Sequence, residues 1–269
     1  MISDDLLDKL IESIRDTYGY DFQNYSRNYF ERRIRQLMKN TGKKEFDDFL
    51  HSIVTDVEYF RGLIEKLSIN VTSMFRNPGL FWYLRKKVLP ILATYPHIRI
   101  WSAGTASGEE AWSLAILLRE ENLYHRSLIY ATDFNPIILK QAAKGIIPLH
   151  KMARYTGNYI KTGGKEEFSI YYRTTRNNAF LDKSLAKNIV FSTHDLIKGG
   201  IFNEFHLILC RNVLIYFNEI LTDNVLKLMS HSLVERGYLC LGDKESILFR
   251  GPGCCFEEII REFRVYRKI

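Results

Sequence analysis

One segment constrains the fold of this chain more than any other, and it runs from Ile98 to Glu110 as IRIWSAGTASGEE. It begins as an alternating, β-branched run, breaks at Gly104 and Gly108, and continues with helical spacing to Leu118. This order predicts a strand, a tight turn and a helix. In open α/β sheets such a turn lies at the carboxyl edge, where ligands bind. The segment therefore predicts an α/β domain with a ligand site at this turn.

The charge of the turn narrows the class of ligand. Glu109 and Glu110 stand at the predicted helix start, where a loop that holds phosphate should not present carboxylates. A carboxylate suits a ligand with a positive charge, such as the ammonium or sulfonium group of S-adenosylmethionine. The alternative interpretation is that both glutamates only favour the positive end of the helix dipole.

Composition limits the class of protein further. A chain of 269 residues can form one large α/β domain and a small companion without disulfides. The cysteines, Cys210, Cys240, Cys254 and Cys255, form no CxxC pair, which predicts reduced core thiols and no metal site. Neither a membrane span nor an export signal is recognisable, so we expect a soluble, cytoplasmic protein. The net charge of +7 favours an acidic partner, which could be nucleic acid, a membrane surface or a protein.

Hydrophobic spacing divides the chain into two predicted domains. Residues 1–66 follow the helical period and predict a small all-helical domain. Residues 67–269 predict the α/β domain, which begins with a linker over 67–90. A polar stretch at about 160–188 contains a run of alternating residues and predicts a small antiparallel β insertion.

The middle helix of the first domain is basic. It is predicted to start at the capping residue Ser26 and to end at Gly42. Its cations are Arg27, Arg32, Arg33, Arg35 and Lys39. They form either a solvated helix face or a docking surface for an acidic protein.

Further polar residues follow the other predicted strands. Asp133 ends the second strand, where nucleoside-binding α/β domains place an acid that accepts hydrogen bonds from ribose hydroxyls. It could equally cap the next helix. Asp195 and the pair Arg211-Asn212 follow two later strands. Because parallel strands end at one edge, these groups are expected to converge with the first turn.

Four motifs occur in order along the chain. They are residues 70–76 (NVTSMFR), 101–110 (WSAGTASGEE), 131–133 (ATD) and 210–217 (CRNVLIYF). Together they resemble the CheR family of chemotaxis receptor methyltransferases. The resemblance implies a Rossmann-like S-adenosylmethionine-dependent methyltransferase sheet with an all-helical N-terminal domain and a small antiparallel β insertion.

The resemblance also implies an activity. Members of the family transfer a methyl group from S-adenosylmethionine to receptor glutamates, which forms glutamyl methyl esters and S-adenosylhomocysteine. The implied partner is the cytoplasmic helical bundle of a chemotaxis receptor, which the basic helix would complement. We expect a monomer, with no nucleic-acid partner and no insertion into a membrane.

Individual roles carry over where the motifs match. The implied cofactor-binding residues are Asn70, Thr72, Arg76, Gly104, Glu110, Asp133, Asp195, Leu196, Asn212 and Val213. Arg76 and Tyr216 are implied to face the acceptor glutamate as catalytic residues. Two positions depart from the family pattern, since Met74 replaces an aromatic residue and Asp195 stands where Asn is frequent.

Two other functions use the same cofactor site. One is methylation of nucleic acid, against which stands the absence of the Asn/Asp-Pro-Pro-aromatic tetrapeptide of amino-directed methyltransferases. The other is a regulatory module that binds the cofactor without turnover. The presence of Arg76 and Tyr216 argues mildly against it.

Overall fold

The computed structural model describes residues 2–43, 45–67, 72–247 and 255–269. The chain divides into two compact units. The helical unit comprises Met1–Ile69 and Leu214–Leu226, and the sheet unit comprises Asn70–Val213 and Lys227–Ile269.

The described residues before position 68 form four helices. They are α1 (Asp4–Tyr18), α2 (Arg27–Thr41), α3 (Phe46–Thr55) and α4 (Val57–Leu67). α1 begins where the Ser3 hydroxyl accepts the N–H of Leu6 at 3.4 Å, and it ends at Gly19 in the left-handed conformation. Apolar side chains at helical spacing, such as Leu10 and Ile14, are completely buried between the helices.

Ser26 does not cap α2 as predicted. Its side chain makes no capping hydrogen bond, although Gly42 ends the helix in the left-handed conformation as expected. The chain enters α2 from a β-bridge between Tyr25 and Phe217, and the Ser26 N–H donates to the carbonyl of Tyr216 at 2.8 Å. Backbone pairing to a distant segment therefore accompanies the helix start in place of the hydroxyl cap.

Two sheets form the framework of the sheet unit. The described strands are β1 (Ile98–Ala103), β2 (Ser127–Asp133), β3 (Ile146–Pro148), β4 (Tyr172–Thr174), β5 (Asn178–Leu181), β6 (Ile189–Thr193), β7 (Phe205–Cys210), β8 (Leu233–Leu241), β9 (Phe256–Ile260) and β10 (Val265–Lys268). The large sheet has the order β6-β2-β1-β7-β8-β10-β9. Its strands are parallel from β6 to β8, and β10 pairs antiparallel with both β8 and β9. This arrangement confirms the predicted Rossmann-like sheet.

Six more helices lie in the described residues after position 77. The remaining described helices are α5 (Pro78–Tyr83), α6 (Leu89–Leu92), α7 (Glu109–Glu120), α8 (Pro136–Lys144), α9 (Met152–Lys161) and α10 (Glu219–Ser232). Nearly all of α7 is buried, as expected for a helix that is apolar around most of its circumference. No described helix combines the length and apolar composition needed to cross a membrane.

A buried polar network was not apparent from the sequence. Between α5 and α6, residues Leu84–Val88 form a π-helical turn that contains Arg85. The Arg85 guanidinium donates to Glu120 and Glu121 at 2.5 Å each, and Tyr171 donates to Glu120 at 2.9 Å. Buried charges are tolerated when they are paired in this way.

The small sheet has the order β3-β5-β4 and is antiparallel. It confirms the predicted small antiparallel sheet. Its first strand, β3, lies before residue 160, where the sequence predicts the insertion to begin. The alternating run also differs from the prediction, because Phe168–Tyr171 forms a 3-10 turn and only the following residues pair as β4.

The cysteines follow the prediction at two positions. Cys210 and Cys240 are buried free thiols in β7 and β8, and burial raises the pKa of each thiol. The prediction of a core thiol is wrong for Cys255, which is exposed immediately before the edge strand β9. Cys254 lies outside the described residues.

His206 should make stability depend on pH. It is buried at the start of β7, its Nδ1 accepts the N–H of Arg99 at 3.1 Å, and burial lowers its pKa. As the pH falls below about 6.5, the unfolded chain takes up a proton that the folded protein resists. We therefore expect the free energy of unfolding, measured with urea, to fall more between neutral and mildly acidic pH in the wild type than in His206→Asn. Equal decreases in both proteins would contradict this.

Candidate functional site

The turn between β1 and α7 is built from left-handed residues. Gly104, Ala106 and Gly108 have φ values of 71°, 49° and 89°. Ala106 is the unusual member, because a side chain rarely adopts this conformation, and its N–H donates to Asp133 Oδ2 at 3.0 Å. A Cβ on Gly104 would lie 2.5 Å from Val213 Cγ2. The turn therefore requires glycine at residue 104 and is fixed by the acid that ends β2.

Asp133 is engaged on both carboxylate oxygens. Besides the bond to Ala106, its Oδ1 accepts the N–H of Asn135 at 3.0 Å. Burial raises its pKa, and these backbone hydrogen bonds oppose the shift. The helix cap considered for Asp133 is instead Asn135, whose side chain accepts the N–H of Ile137 at 2.9 Å. Asp133 thus anchors the turn and has further lone pairs for a ligand.

The two glutamates at the start of α7 have different environments. Glu109 is buried and accepts hydrogen bonds from the hydroxyls of Ser107 at 2.6 Å and Tyr155 at 3.4 Å. Glu110 accepts from Ser102 at 2.8 Å. Each side chain therefore has specific partners in addition to the helix dipole.

Arg211 connects three parts of the edge. Its side chain is 2% exposed and forms an ion pair with Glu110 at 3.1 Å. Its Nη2 also donates to the carbonyl of Arg76 at 3.1 Å and to Asn77 Oδ1 at 2.8 Å. The sequence placed Arg211 at a strand end but assigned it no role. An arginine that directly follows the buried strand β7 was the available signal.

A second residue without an assigned role is Glu245. Its side chain is buried, and its Oε2 accepts the N–H groups of both Asn212 and Gly242, at 2.9 and 2.6 Å. It thereby links the ends of the neighbouring strands β7 and β8. Asn212 has a φ of 59°, so this bond supports a turn that is costly for a non-glycine residue. An acid three residues beyond Gly242 is too common a pattern to be found from sequence alone.

The segment before α5 is held by hydrogen bonds to residues of α7 and α9. The N–H of Phe75 donates to the Ser113 hydroxyl at 2.9 Å, and Asn158 donates to the carbonyl of Met74 at 3.0 Å. Thr72 and Arg76 are half-buried. Asn70, which the sequence also predicts to bind the cofactor, lies outside the described residues.

Asp195 and Leu196 lie in the loop after β6 and are half-buried. Asp195 Oδ1 accepts the N–H of Ile197 at 2.8 Å, which stabilises the local turn. The preceding residue, His194, donates its N–H to the carbonyl of Asp133 at 3.1 Å. This bond ties the start of the loop to the end of β2.

The structure therefore brings several predicted residues to one edge of the large sheet. They are Gly104, Glu110, Asp133, Asn212 and Val213, linked directly or through Ala106, Arg211 and Glu245. Tyr216 is in the helical unit. Contact of each of these residues with a cofactor remains a prediction.

The chemistry of this edge fits a cationic nucleoside cofactor. Residues 104–110 contain neither lysine nor arginine, and the acids Glu109 and Glu110 begin α7. Carboxylates at a helix start repel a phosphate group, which this position would otherwise attract. An acid after β2 suits ribose, and carboxylates suit an ammonium or sulfonium group.

The open α/β sheet and this acidic edge fit an S-adenosylmethionine-dependent methyltransferase. Residues 70–253 match the model of the CheR methyltransferase SAM-binding domain, and residues 5–68 match that of the CheR methyltransferase all-alpha domain. The chain belongs to the CheR methyltransferase family.

Individual relatives agree with this assignment. The chain is 42% identical over 259 residues to Cher3 of Pseudomonas putida, covering 96% of this chain and 95% of that protein. It is 31% identical over 262 residues to the chemotaxis protein methyltransferase of Borreliella burgdorferi, covering 91% and 89%. It is also 31% identical over 245 residues to the chemotaxis protein methyltransferase of Listeria monocytogenes, covering 87% of each chain.

Glu245→Ala should weaken cofactor binding. The change leaves two N–H groups without their acceptor, at a cost of about 1–3 kcal/mol, and releases the turn that carries Asn212 and Val213. We expect the dissociation constant for S-adenosylhomocysteine, measured by calorimetry, to rise about 10-fold, since 1.4 kcal/mol corresponds to a factor of ten. Glu245→Gln retains an acceptor oxygen and should bind nearly normally. The control Glu257→Ala removes an exposed acid on β9; a comparable loss of binding in it would contradict the role of Glu245.

Proposed function

We propose that this protein methylates glutamate side chains in the cytoplasmic helical bundle of chemotaxis receptors. The convergence of Glu110, Asp133 and Asn212 at one acidic sheet edge carries the proposal. Relatives named chemotaxis protein methyltransferases, which this chain matches over most of their length, support the receptor as substrate.

The proposed cofactor contacts follow from the chemistry of each group. Asp133 accepts hydrogen bonds from the ribose hydroxyls. Glu110, in its pair with Arg211, binds the ammonium of the methionine portion, together with Thr72 and Asn70. Asp195 and Leu196 flank the adenine. The cofactor pocket is completed by four further residues, which are Gly104, Arg76, Asn212 and Val213.

The reaction needs little acid-base chemistry from the protein. A glutamate acceptor is already ionised at neutral pH, so no general base has to remove a proton. S-adenosylmethionine supplies an electrophilic methyl group bonded to a cationic sulfur. An acceptor oxygen forms the new C–O bond as the C–S bond breaks, and the electron pair remains on the sulfur. The protein contributes by orienting the acceptor and excluding water.

Arg76 and Tyr216 are proposed to orient the acceptor. The planar guanidinium of Arg76 can bind both oxygens of a carboxylate at once. The peptide carbonyl of Arg76 is held by Arg211, so its side chain starts from a fixed point on the sheet edge. Tyr216 supplies a hydroxyl that can donate a hydrogen bond to the same acceptor.

The basic helix α2 is proposed to dock the acidic receptor bundle. Within the helical unit, Arg27 pairs with Asp8 and Arg35 pairs with Glu31. These ion pairs lower the net positive charge that the two arginines present to a partner. Arg33 is half-buried and donates to Gln36 at 2.8 Å. Arg32 and Lys39 are exposed and are the better candidates for contact with a partner.

Transfer of labelled methyl groups tests the proposal. The purified protein is incubated with radiolabelled S-adenosylmethionine and with a carboxylate-rich receptor fragment from its own organism. We expect base-labile label on the fragment, and none on a matched fragment with its glutamates replaced by glutamine. Label on nucleic acid would contradict the proposal, as would tight cofactor binding without transfer to any receptor fragment.

A further inference from the structure

Within the helical unit, the turn that carries Tyr216 is held by hydrogen bonds to the segment that leads into α2. The Ser26 N–H donates to the Tyr216 carbonyl at 2.8 Å, and the Asn218 N–H donates to the Asn24 carbonyl at 2.9 Å. The side chains of Asn218 and Asn24 form a third bond at 3.1 Å. Pairing at the Tyr216 carbonyl and at Asn218, two residues later, therefore fixes this peptide relative to the residues that lead into α2.

The ring of Tyr216 has a neighbour of its own in α2. The centroids of the Tyr29 and Tyr216 rings are 4.5 Å apart with an angle of 42° between their planes. Aromatic pairs at this separation attract one another beyond the effect of burial. The contact restricts the rotation of the Tyr216 side chain, which the backbone bonds alone leave free.

Tyr29 is itself firmly placed. It is 9% exposed, and its hydroxyl donates to the carbonyl of Leu67 at 3.1 Å. Burial, with Tyr216 nearby, raises the pKa of Tyr29 to about 12, although Arg33 and Arg32 oppose this. The hydroxyl is therefore neutral at physiological pH and remains a hydrogen-bond donor. A ring anchored at its far end provides a rigid surface for Tyr216.

We propose that Tyr29 is a positioning residue for methyl transfer, which sets the orientation of Tyr216 toward the acceptor carboxylate. This inference rests on the proposed function, because it assigns Tyr29 a part in the same reaction. The helical unit would then have two roles. The exposed basic residues of α2 would dock the receptor, and the buried Tyr29 of the same helix would position Tyr216.

Tyr18 offers a matched control within the same unit. Its ring stacks on Phe60 with centroids 3.7 Å apart, and its hydroxyl donates to the carbonyl of Ile53 at 2.7 Å. It therefore has the same kind of ring contact and the same kind of backbone bond as Tyr29, but its aromatic partner is Phe60. A loss of stability alone should affect Tyr18→Leu and Tyr29→Leu alike.

Steady-state kinetics with the receptor fragment test the proposal. We expect Tyr29→Leu to lower kcat about 10- to 100-fold, the effect of a misplaced reacting group, with an unchanged dissociation constant for S-adenosylhomocysteine. Tyr29→Phe retains the ring and should keep most of the rate. Tyr18→Leu should keep kcat even where its melting temperature falls. Normal kcat in Tyr29→Leu, or an equal loss in Tyr18→Leu, would overturn the inference.

Two further measurements distinguish a failure of this inference from a failure of the proposed function. Fluorotyrosine placed at residue 216 should shift its fluorine resonance in Tyr29→Leu and not in Tyr18→Leu, whether or not the enzyme turns over. An unshifted resonance would overturn the inference even if the wild type were active. If Tyr29→Leu does not fold, Asn24→Ala tests the same positioning from a half-buried turn, and an unchanged kcat there would count against it. A wild type that forms no ester, with the resonance shifted, would refute only the proposed function.

Discussion

Replacing Arg76 by alanine is expected to lower methyl transfer about 100- to 1000-fold, which is the usual cost of removing one preorganised group that acts on the reacting centre. The residue lies between Phe75 and Asn77, which have φ values of 50° and 59°. Arg211 binds both the Arg76 carbonyl and the Asn77 side chain. The backbone around Arg76 is thus held by contacts that the substitution does not remove, so the loss should appear in the rate and not in the fold.

The measurement is the initial rate of base-labile ester formation with the receptor fragment. Arg76→Lys keeps the charge but loses the planar fork, and we expect an intermediate rate. Arg261→Ala, in an exposed turn between β9 and β10, is the matched control for loss of an arginine. A rate in Arg76→Ala close to that of Arg261→Ala would remove Arg76 from the catalytic residues.

Replacing Arg211 by methionine should destabilise the protein by about 3–5 kcal/mol, the cost of breaking a buried ion pair on one side. The Arg211 and Glu110 side chains are only 2% and 13% exposed, so water cannot readily replace the lost partner. The change also releases the carbonyl of Arg76 and the side chain of Asn77. Cofactor affinity should therefore fall together with stability.

Urea unfolding compares this pair with an exposed one. Arg267 pairs with Glu257 at 2.8 Å, and the two side chains are 29% and 50% exposed. We expect Arg267→Ala to cost less than about 1 kcal/mol. Adding Glu110→Gln to Arg211→Met should recover part of the stability, because it removes the uncompensated carboxylate. If Arg211→Met were no less stable than Arg267→Ala, the pair with Glu110 would have no structural importance.

Local patterns were sufficient for much of the fold. The break at Gly104 and Gly108 located the β1–α7 turn, and the helical spacing after it matched α7. Asp133 was correctly placed at the end of a strand. These predictions succeed because a residue's backbone preference and the spacing of apolar side chains act within a few positions of the chain.

Other features depended on distant parts of the chain. The capping prediction for Ser26 failed because its backbone N–H pairs with the carbonyl of Tyr216, which is far from it in the sequence. The core prediction for Cys255 failed because hydrophobic character alone does not reveal which strand lies at the edge of a sheet. Neither position contains a local signal for its actual surroundings.

The order of residues along the chain was enough to identify the sheet, its acidic turn and a methyltransferase resemblance, since these depend on short motifs at strand ends. Folding alone decided that Arg211 meets Glu110, 101 positions earlier, and that Glu245 supports Asn212, 33 positions away. It also decided that Tyr29 packs on Tyr216. Burial and pairing of a side chain result from the packing of whole elements, so they exist only once distant strands and helices have come together.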